Sequence, residues 1–191
     1  MMNKILAVIL IAAPLFVCAQ NKQAAYRWYN VTQYGMLLGK NYTTYSLQTI
    51  NGVAYRQYSA GIGIAYDNYG YKSIPLFADL RYSLLHNKNI ALQVYGNAGV
   101  NTPLRNEEYL PHKYNDGRVR NKLHESFYTE AGLSFSVPLV HSLSLIAGAG
   151  YNYKTFKYTG ISYVEDIPTP ELHDNYTYHY GKYVLRVGIG F

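Results

Sequence analysis

The residues best suited to nucleophilic chemistry are His124 and Ser126, which stand two positions apart in the run His124-Glu125-Ser126. A histidine within reach of a serine hydroxyl can take its proton and so create a nucleophile. Such a pair normally needs a carboxylate that orients the histidine, yet no acidic residue follows Glu130 until Glu165. We therefore interpret His124 and Ser126 as structural polar residues, expect no enzyme, and keep a hydrolase as the alternative.

Histidines and carboxylates are concentrated in two stretches, residues 102–125 and 157–175. They are His112, His124, His173, Glu107, Glu108, Asp116, Glu165, Asp166, Glu171 and Asp174, with His179 close by. Such side chains together can bind transition-metal ions, but neither an H-x₃-H nor an H-E-x-x-H spacing is present. We therefore predict solvated loops, with no metal and no cofactor.

Five basic residues in the stretch 102–125 could contact phosphate groups. They are Arg105, Lys113, Arg118, Arg120 and Lys122. Arginine can bind phosphate oxygens through two parallel hydrogen bonds, and Asp116-Gly117 predicts a hairpin turn that projects this stretch outward. The formal net charge is +6, but the basic residues are dispersed without a basic run or helix, so we predict no nucleic-acid partner.

The elements that must position these residues are strands, because apolar residues recur at every second position. In the last ten residues one face carries Tyr183, Leu185, Val187, Ile189 and Phe191. The other face carries Lys182, Val184, Arg186, Gly188 and Gly190. Successive side chains of a strand point to opposite faces, so this stretch is predicted to be a strand with one apolar face.

Eight segments of this kind can be recognised. They are about 28–38, 43–51, 58–67, 73–85, 90–101, 126–137, 143–156 and 176–191. Each is about as long as the 9–11 residues that a tilted strand needs to cross a membrane. The connections at one end, 52–57, 86–89 and 138–142, are short, whereas 102–125 and 157–175 at the other end are long. Together they predict an antiparallel, up-and-down transmembrane β-barrel of eight strands.

Composition supports a membrane location. The 191 residues include 23 tyrosines, and only 15% are charged, which suits a large surface at a membrane–water interface. Residues 1–19 resemble a signal peptide, with Lys4 before an apolar run from Ile5 to Val17. We predict cleavage after Ala19, a barrel domain of residues 20–191, and no cysteine in the mature chain. The alternative is a lipoprotein cleaved before Cys18.

The inward face of the predicted barrel carries six charged residues. They are Asp79, Arg81, Glu130, Lys154, Lys182 and Arg186. Eight strands leave an interior only wide enough for side chains, and buried charges must be paired. We therefore predict a plugged lumen in which Asp79 and Glu130 are each bound by Arg or Lys. A gated pore or proton path is the alternative.

Residues 46–85 resemble small outer-membrane β-barrel proteins of Bacteroidota-type bacteria. The matching pieces are SLQTING, GIGIAYDNY and IPLFADLRY. The architecture is also similar to OmpA/OmpX-type eight-stranded barrels, and the terminal Phe191 resembles their recognition signal for the barrel assembly machinery. The resemblance implies a fold and a location in the bacterial outer membrane, with no catalytic residues.

That resemblance also implies partners and alternatives. We expect a monomer with a structural or interaction role, carried by the long external loops, in contact with outer-membrane lipid and lipopolysaccharide. The five basic residues could contact lipid A phosphates, and an envelope protein could bind the loops. The alternatives are a lipid A-modifying enzyme similar to the barrel deacylases, a narrow channel, or an accessory subunit of an envelope secretion or assembly machine.

Overall fold

The computed structural model describes residues 26–39, 42–69, 72–86, 89–104, 107–110, 119–140, 142–162 and 172–191. They form ten strands, each antiparallel to its neighbours. The strands are β1 Tyr26–Leu38, β2 Thr43–Tyr55, β3 Tyr58–Asn68, β4 Lys72–His86, β5 Ala91–Pro103, β6 Glu107–Leu110, β7 Val119–His124, β8 Ser126–Val140, β9 Leu143–Ser162 and β10 Leu172–Gly190. The predicted leader, residues 1–19, lies outside the described residues. Within the described ranges there is no helix of the length and apolarity needed to cross a membrane.

Eight of the strands close into a barrel. The order around it is β1-β2-β3-β4-β5-β8-β9-β10, and β10 pairs with β1 as well as with β9. The last residue completes this seam, because Phe191 N donates to Asn30 O at 2.9 Å and Asn30 N donates to Phe191 O at 3.2 Å. The predicted eight-stranded antiparallel barrel is confirmed.

The strands are strongly tilted against the barrel axis. A row of paired residues that starts at Tyr26 passes through Tyr55, Tyr58, Tyr82, Val94, Leu133, Ala149 and Leu185 and returns to β1 at Met36. The row therefore climbs ten residues in one turn (36 − 26). With about 3.3 Å per residue and about 4.8 Å between strands, the tilt is about 40°. This tilt lies in the range found for closed barrels.

Burial follows the predicted alternation. On β1, Gln33 and Leu37 are buried, whereas Tyr34 and Met36 are each 47% exposed. On β3, Ala65 and Asp67 are buried while Ile62 is exposed. Alternate side chains of these strands therefore point into the barrel, as the predicted period of two requires.

The connections differ from the prediction at both ends. At the short-turn end, β2 continues to Tyr55 and leaves only Arg56 and Gln57 between strands, and β8 continues to Val140. At the opposite end, which we call the outer end, β9 reaches Ser162 and β10 begins at Leu172. The bounds predicted for these loops were therefore wrong. The alternation of apolar and polar residues stops short of these strand ends, whereas the backbone ladder continues.

The predicted loop 102–125 contains two strands. β6 pairs with β7, and β7 pairs with the outer part of β9. Between the paired positions His124–Lys157 and Tyr128–Lys154, three residues (125–127) face two (155–156), so a β-bulge separates β7 from β8. Above the barrel, β6, β7, β9 and β10 thus form a four-stranded outer extension. Residues Asp116 and Gly117, where a turn was predicted, lie outside the described residues.

Candidate functional site

The six charged residues predicted for the lumen are all buried in the barrel interior. Their exposed fractions are Asp79 0%, Arg81 5%, Glu130 1%, Lys154 0%, Lys182 4% and Arg186 5%. Each occupies an inward position of its strand, so the alternation alone brings six charges from four strands into one narrow space. The chemistry of this space depends on how the charges are paired.

The centre of the lumen is occupied by an ion pair between Glu130 on β8 and Arg186 on β10. Arg186 Nε donates to Glu130 Oε1 at 2.8 Å and Nη2 donates to Oε2 at 2.5 Å. Three neutral side chains also donate to this carboxylate: Asn152 at 2.7 Å, Tyr95 at 3.1 Å and Tyr128 at 3.2 Å. Arg186 Nη1 donates to Ser46 Oγ at 3.0 Å. This two-pronged geometry is the strong form of a buried pair.

A second pair joins Asp79 and Arg81, two residues apart on the same face of β4. Arg81 Nε donates to Asp79 Oδ1 at 2.8 Å, and Nη2 donates to Oδ2 at 3.2 Å. The Tyr29 hydroxyl donates to Oδ1 at 3.0 Å. With its nitrogen turned towards Asp79, the Asn97 amide donates to Oδ2 at 2.7 Å. The Asp79 carboxylate therefore accepts four hydrogen bonds from protein groups and is satisfied without water.

A third pair, Lys154 with Asp67, lies nearer the outer end. Lys154 Nζ also donates to Asn101 Oδ1 at 3.2 Å, and Ser73 Oγ donates to Asp67 Oδ1 at 2.6 Å. Asp67 was not among the six charged residues predicted for the lumen. Its inward phase at the end of β3 was the available signal. The pairing with Lys154, 87 residues away, depends on the register around the barrel.

Lys182 is held by aromatic rings instead of a carboxylate. Its ammonium lies 4.1 Å from the Tyr42 ring centre and 4.6 Å from that of Tyr69, and it donates to Thr44 Oγ1 at 3.1 Å. Among the described residues no carboxylate oxygen forms an ion pair with it.

Tyr69, in the connection after β3, donates its hydroxyl to Asn152 Oδ1 at 2.6 Å. Burial, with the Asp67 carboxylate nearby, raises the pKa of the Tyr69 hydroxyl well above its usual range, so the group is neutral.

Two clusters of buried apolar residues accompany the ion pairs. One contains Val31, Ile50, Ala65, Phe77, Tyr128 and Ile146, and the other contains Leu37, Tyr69, Phe156 and Val184. A cavity of about 480 Å³ lies at the short-turn end, and its lining includes Arg27, Arg56, Ser83 and Gln93. The cavity is lined by Arg81 and by Tyr29, the donor to Asp79, whereas Asp79, Glu130 and Lys154 do not line it.

The proposed nucleophile and base are not brought together. His124 is exposed and its Nε2 lies 3.0 Å from Thr159 Oγ1, whereas Ser126 is buried and accepts from Asn101 Nδ2 at 3.5 Å. His179 Nδ1 lies 2.6 Å from the Tyr153 hydroxyl. Within the described ranges no group of three or more histidine, cysteine or acidic residues is arranged to hold a metal ion.

Several predicted contact residues cannot be placed. Arg105, Lys113 and Arg118 lie outside the described residues, as do His112, Asp116, Glu165, Asp166 and Glu171. Arg120 and Lys122 belong to β7, and Glu107 and Glu108 to β6, with only their backbone described. His173 and Asp174 on β10 are described in the same way. The predicted assembly signal, Phe191, is 52% exposed at the seam between β10 and β1.

The closed ladder, the apolar exterior and the polar interior define a class: the chain has the fold of the small eight-stranded outer-membrane β-barrels. In particular, it is similar to Neisserial surface protein A, with 11% identity over 87% of this chain and 96% of that one and a TM-score of 0.55. Weaker similarities link it to a major outer-membrane protein of Thermus thermophilus (14% identity, 86% and 99% covered, TM-score 0.46) and to AlkL (11%, 91% and 94%, 0.45). No protein-family model and no curated protein matches the chain.

Proposed function

We propose that the chain is an integral β-barrel of the bacterial outer membrane, with a lumen closed by its own side chains. In this proposal its role is structural or interactive and is carried by the outer extension. The observation that carries the proposal is the interior: three buried ion pairs and two apolar clusters occupy a barrel of only eight strands.

The exterior supports the membrane location. On β2, Tyr45 and Tyr55 face outward and are separated by ten residues, which at a tilt of about 40° span about 25 Å. This distance matches the height of the apolar band that aromatic girdles frame in outer-membrane barrels. Between these levels the outward side chains of the other strands include Ile62, Leu80, Val94, Leu133 and Val187, all exposed.

A closed lumen predicts that the protein does not conduct ions. Reconstituted in planar bilayers, the wild-type chain is expected to give no steady conductance, because the charges that would line a path are bound to one another. The Arg56→Ala variant serves as a control and should also give no steady conductance. Arg56 is an exposed residue that lines the cavity at the short-turn end. A steady conductance of the wild-type barrel would contradict the closed lumen and favour the narrow channel.

We further propose that the outer extension makes the external contacts. Residues Arg105, Lys113, Arg118, Arg120 and Lys122 belong to the segment that carries β6 and β7 or to its connections. Their charge suits lipid A phosphates or an acidic envelope partner. Replacing all five by Ser should weaken binding to vesicles that contain lipopolysaccharide but not to neutral vesicles. Equal binding to both would contradict this role.

No catalytic role is part of the proposal. The separation of His124 from Ser126 supports this view, because the base does not reach the hydroxyl. Mass spectra of lipid A are expected to be unchanged when the gene is deleted or overexpressed. A change that is abolished by Ser126→Ala but retained in Ser136→Ala would support a deacylase-like enzyme instead.

A further inference from the structure

The outward face of β1 and β2 carries four polar side chains in the middle of its height. They are Asn30 and Thr32 on β1 and Thr49 and Asn51 on β2. Along β2 the outward residues read Tyr45, Leu47, Thr49, Asn51, Val53 and Tyr55. Along β1 they read Tyr26, Trp28, Asn30, Thr32, Tyr34 and Met36. Apolar or aromatic residues therefore bracket the polar group on both sides along both strands.

The four side chains, which we call the amide patch, bind one another. Asn30 Nδ2 donates to Asn51 Oδ1 at 2.8 Å and to Ile50 O at 3.2 Å. The hydroxyls of Thr32 and Thr49 lie 3.1 Å apart. Asn51 is exposed, and in the described part of the chain its only side-chain hydrogen bond is the one that it accepts from Asn30. Within that part of the chain its amide nitrogen donates to no protein acceptor.

An unpaired amide is unfavourable at this height if the barrel sits in a membrane, as proposed above. Hydrocarbon cannot accept a hydrogen bond, and each unsatisfied polar group there costs free energy. The side chains around the patch offer the Asn51 amide no hydrogen-bond acceptor. They are Leu47, Trp28 and Ile62, which are 53%, 59% and 68% exposed. A partner that covers the patch must therefore be polar at one point and apolar around it, and must itself lie in the membrane.

We propose that this partner is a second copy of the chain, docked through the same face of β1 and β2. A two-fold interface brings identical surfaces together, so its chemistry must be self-complementary. A primary amide meets this condition, because it both donates and accepts. Asn51 of one copy donates to the Asn51 oxygen of the other, and the exposed Leu47, Trp28 and Ile62 surround the contact. The proposal replaces the monomer expected from sequence with a dimer, and it rests on the proposed membrane location.

Cysteine crosslinking tests the dimer directly. The single native cysteine is Cys18, so the full chain with Cys18→Ser is the background. Leu47→Cys, beside the amide patch on the outward face of β2, is compared with Leu133→Cys, which is also outward and exposed but lies on β8, on another side of the barrel. In outer membranes treated with a mild oxidant or a short bis-maleimide, we expect a dimer band for Leu47→Cys and none for Leu133→Cys.

A second variant separates the amide chemistry from mere proximity. Adding Asn51→Leu to Leu47→Cys should abolish the crosslink while the unboiled protein keeps its compact gel band. Crosslinking that is equal at positions 47 and 133, absent at both, unaffected by Asn51→Leu, or directed to a different protein would overturn the homodimer. A chain that does not fractionate with the outer membrane would overturn the proposed function itself, whereas a folded membrane barrel without selective crosslinking would overturn only this inference.

Discussion

At the scale of single residues, the pair of Glu130 and Arg186 is the most sensitive point of the interior. Both side chains are buried, and the carboxylate has donors from four side chains. Removing one partner of such a pair leaves a charge without compensation, and this loss is larger than the net contribution of the intact pair.

Arg186→Ala is therefore expected to lower the free energy of unfolding by about 3–5 kcal/mol. The measurement is the fraction of compact, unboiled gel band at increasing urea concentration. Glu130→Gln combined with Arg186→Ala should recover part of the loss, because no buried charge remains unpaired. An Arg186→Ala barrel as stable as the wild type would show that Glu130 is neutralised in another way.

The sequence predicted which residues enter the lumen, but not which of them meet. The alternation of Asp79, Arg81 and Glu130 with outward apolar residues is visible from composition and phase alone. The partnership of Lys154 with Asp67 is not, because it depends on a stagger of ten residues around the barrel that no single strand encodes. The hydroxyls of Tyr29, Tyr95 and Tyr128 were missed as donors for the same reason.

At the scale of elements, β5 contains two glycines with opposite surroundings. A side chain at Gly99, on the inward face, would collide with Leu76 O and would lie 2.5 Å from Phe77 Cα. At Gly96, on the outward face, a Cβ would find no atom within 4 Å. Replacing each glycine of β5 by alanine therefore tests how closely β4 approaches the two faces of β5.

Gly99→Ala is expected to destabilise the barrel by about 1–3 kcal/mol, since the backbone of β4 would have to move. Gly96→Ala should be neutral or stabilise by about 0.5–1 kcal/mol, because glycine weakens a strand interior. Urea titration of the compact gel band measures both. Equal effects of the two substitutions would contradict the assigned inward face of β5.

The outer ends of β9 and β10 were not predictable from the same pattern. Within the barrel, apolar and polar residues alternate along each strand because one face lies on the apolar exterior and the other in the polar interior. Beyond the barrel rim the polar residues Lys157 and Asn175 are exposed and still belong to paired strands, so an alternation of apolar and polar residues does not mark this stretch. Thr159 Oγ1 donates to Asn175 Oδ1 at 2.7 Å across this extension, a contact that only the register reveals.

At the scale of the whole molecule, closure depends on the seam between β10 and β1. Deleting Phe191 removes two backbone hydrogen bonds to Asn30 and an exposed aromatic ring at the short-turn end. We expect a lower yield of assembled barrel in the outer membrane, and less loss for Phe191→Leu, which retains both backbone bonds. Comparing the compact band with total protein in each strain measures this. An unchanged yield after the deletion would show that the seam closes without its last residue.

Arg186 has a consequence for the order in which the barrel can form. It lies on β10, the eighth barrel strand in sequence order, yet it binds Glu130 on β8 and Ser46 on β2, which stand on either side of the seam. A sheet that lacks β10 holds Glu130 without its cation and so remains better hydrated than the finished barrel. When β10 pairs with β9 and β1, Arg186 reaches Glu130 and the backbone hydrogen bonds close the barrel in the same step. Charge neutralisation, expulsion of lumenal water and closure of the wall are thereby coupled, so a half-assembled barrel is disfavoured in lipid until its final strand arrives.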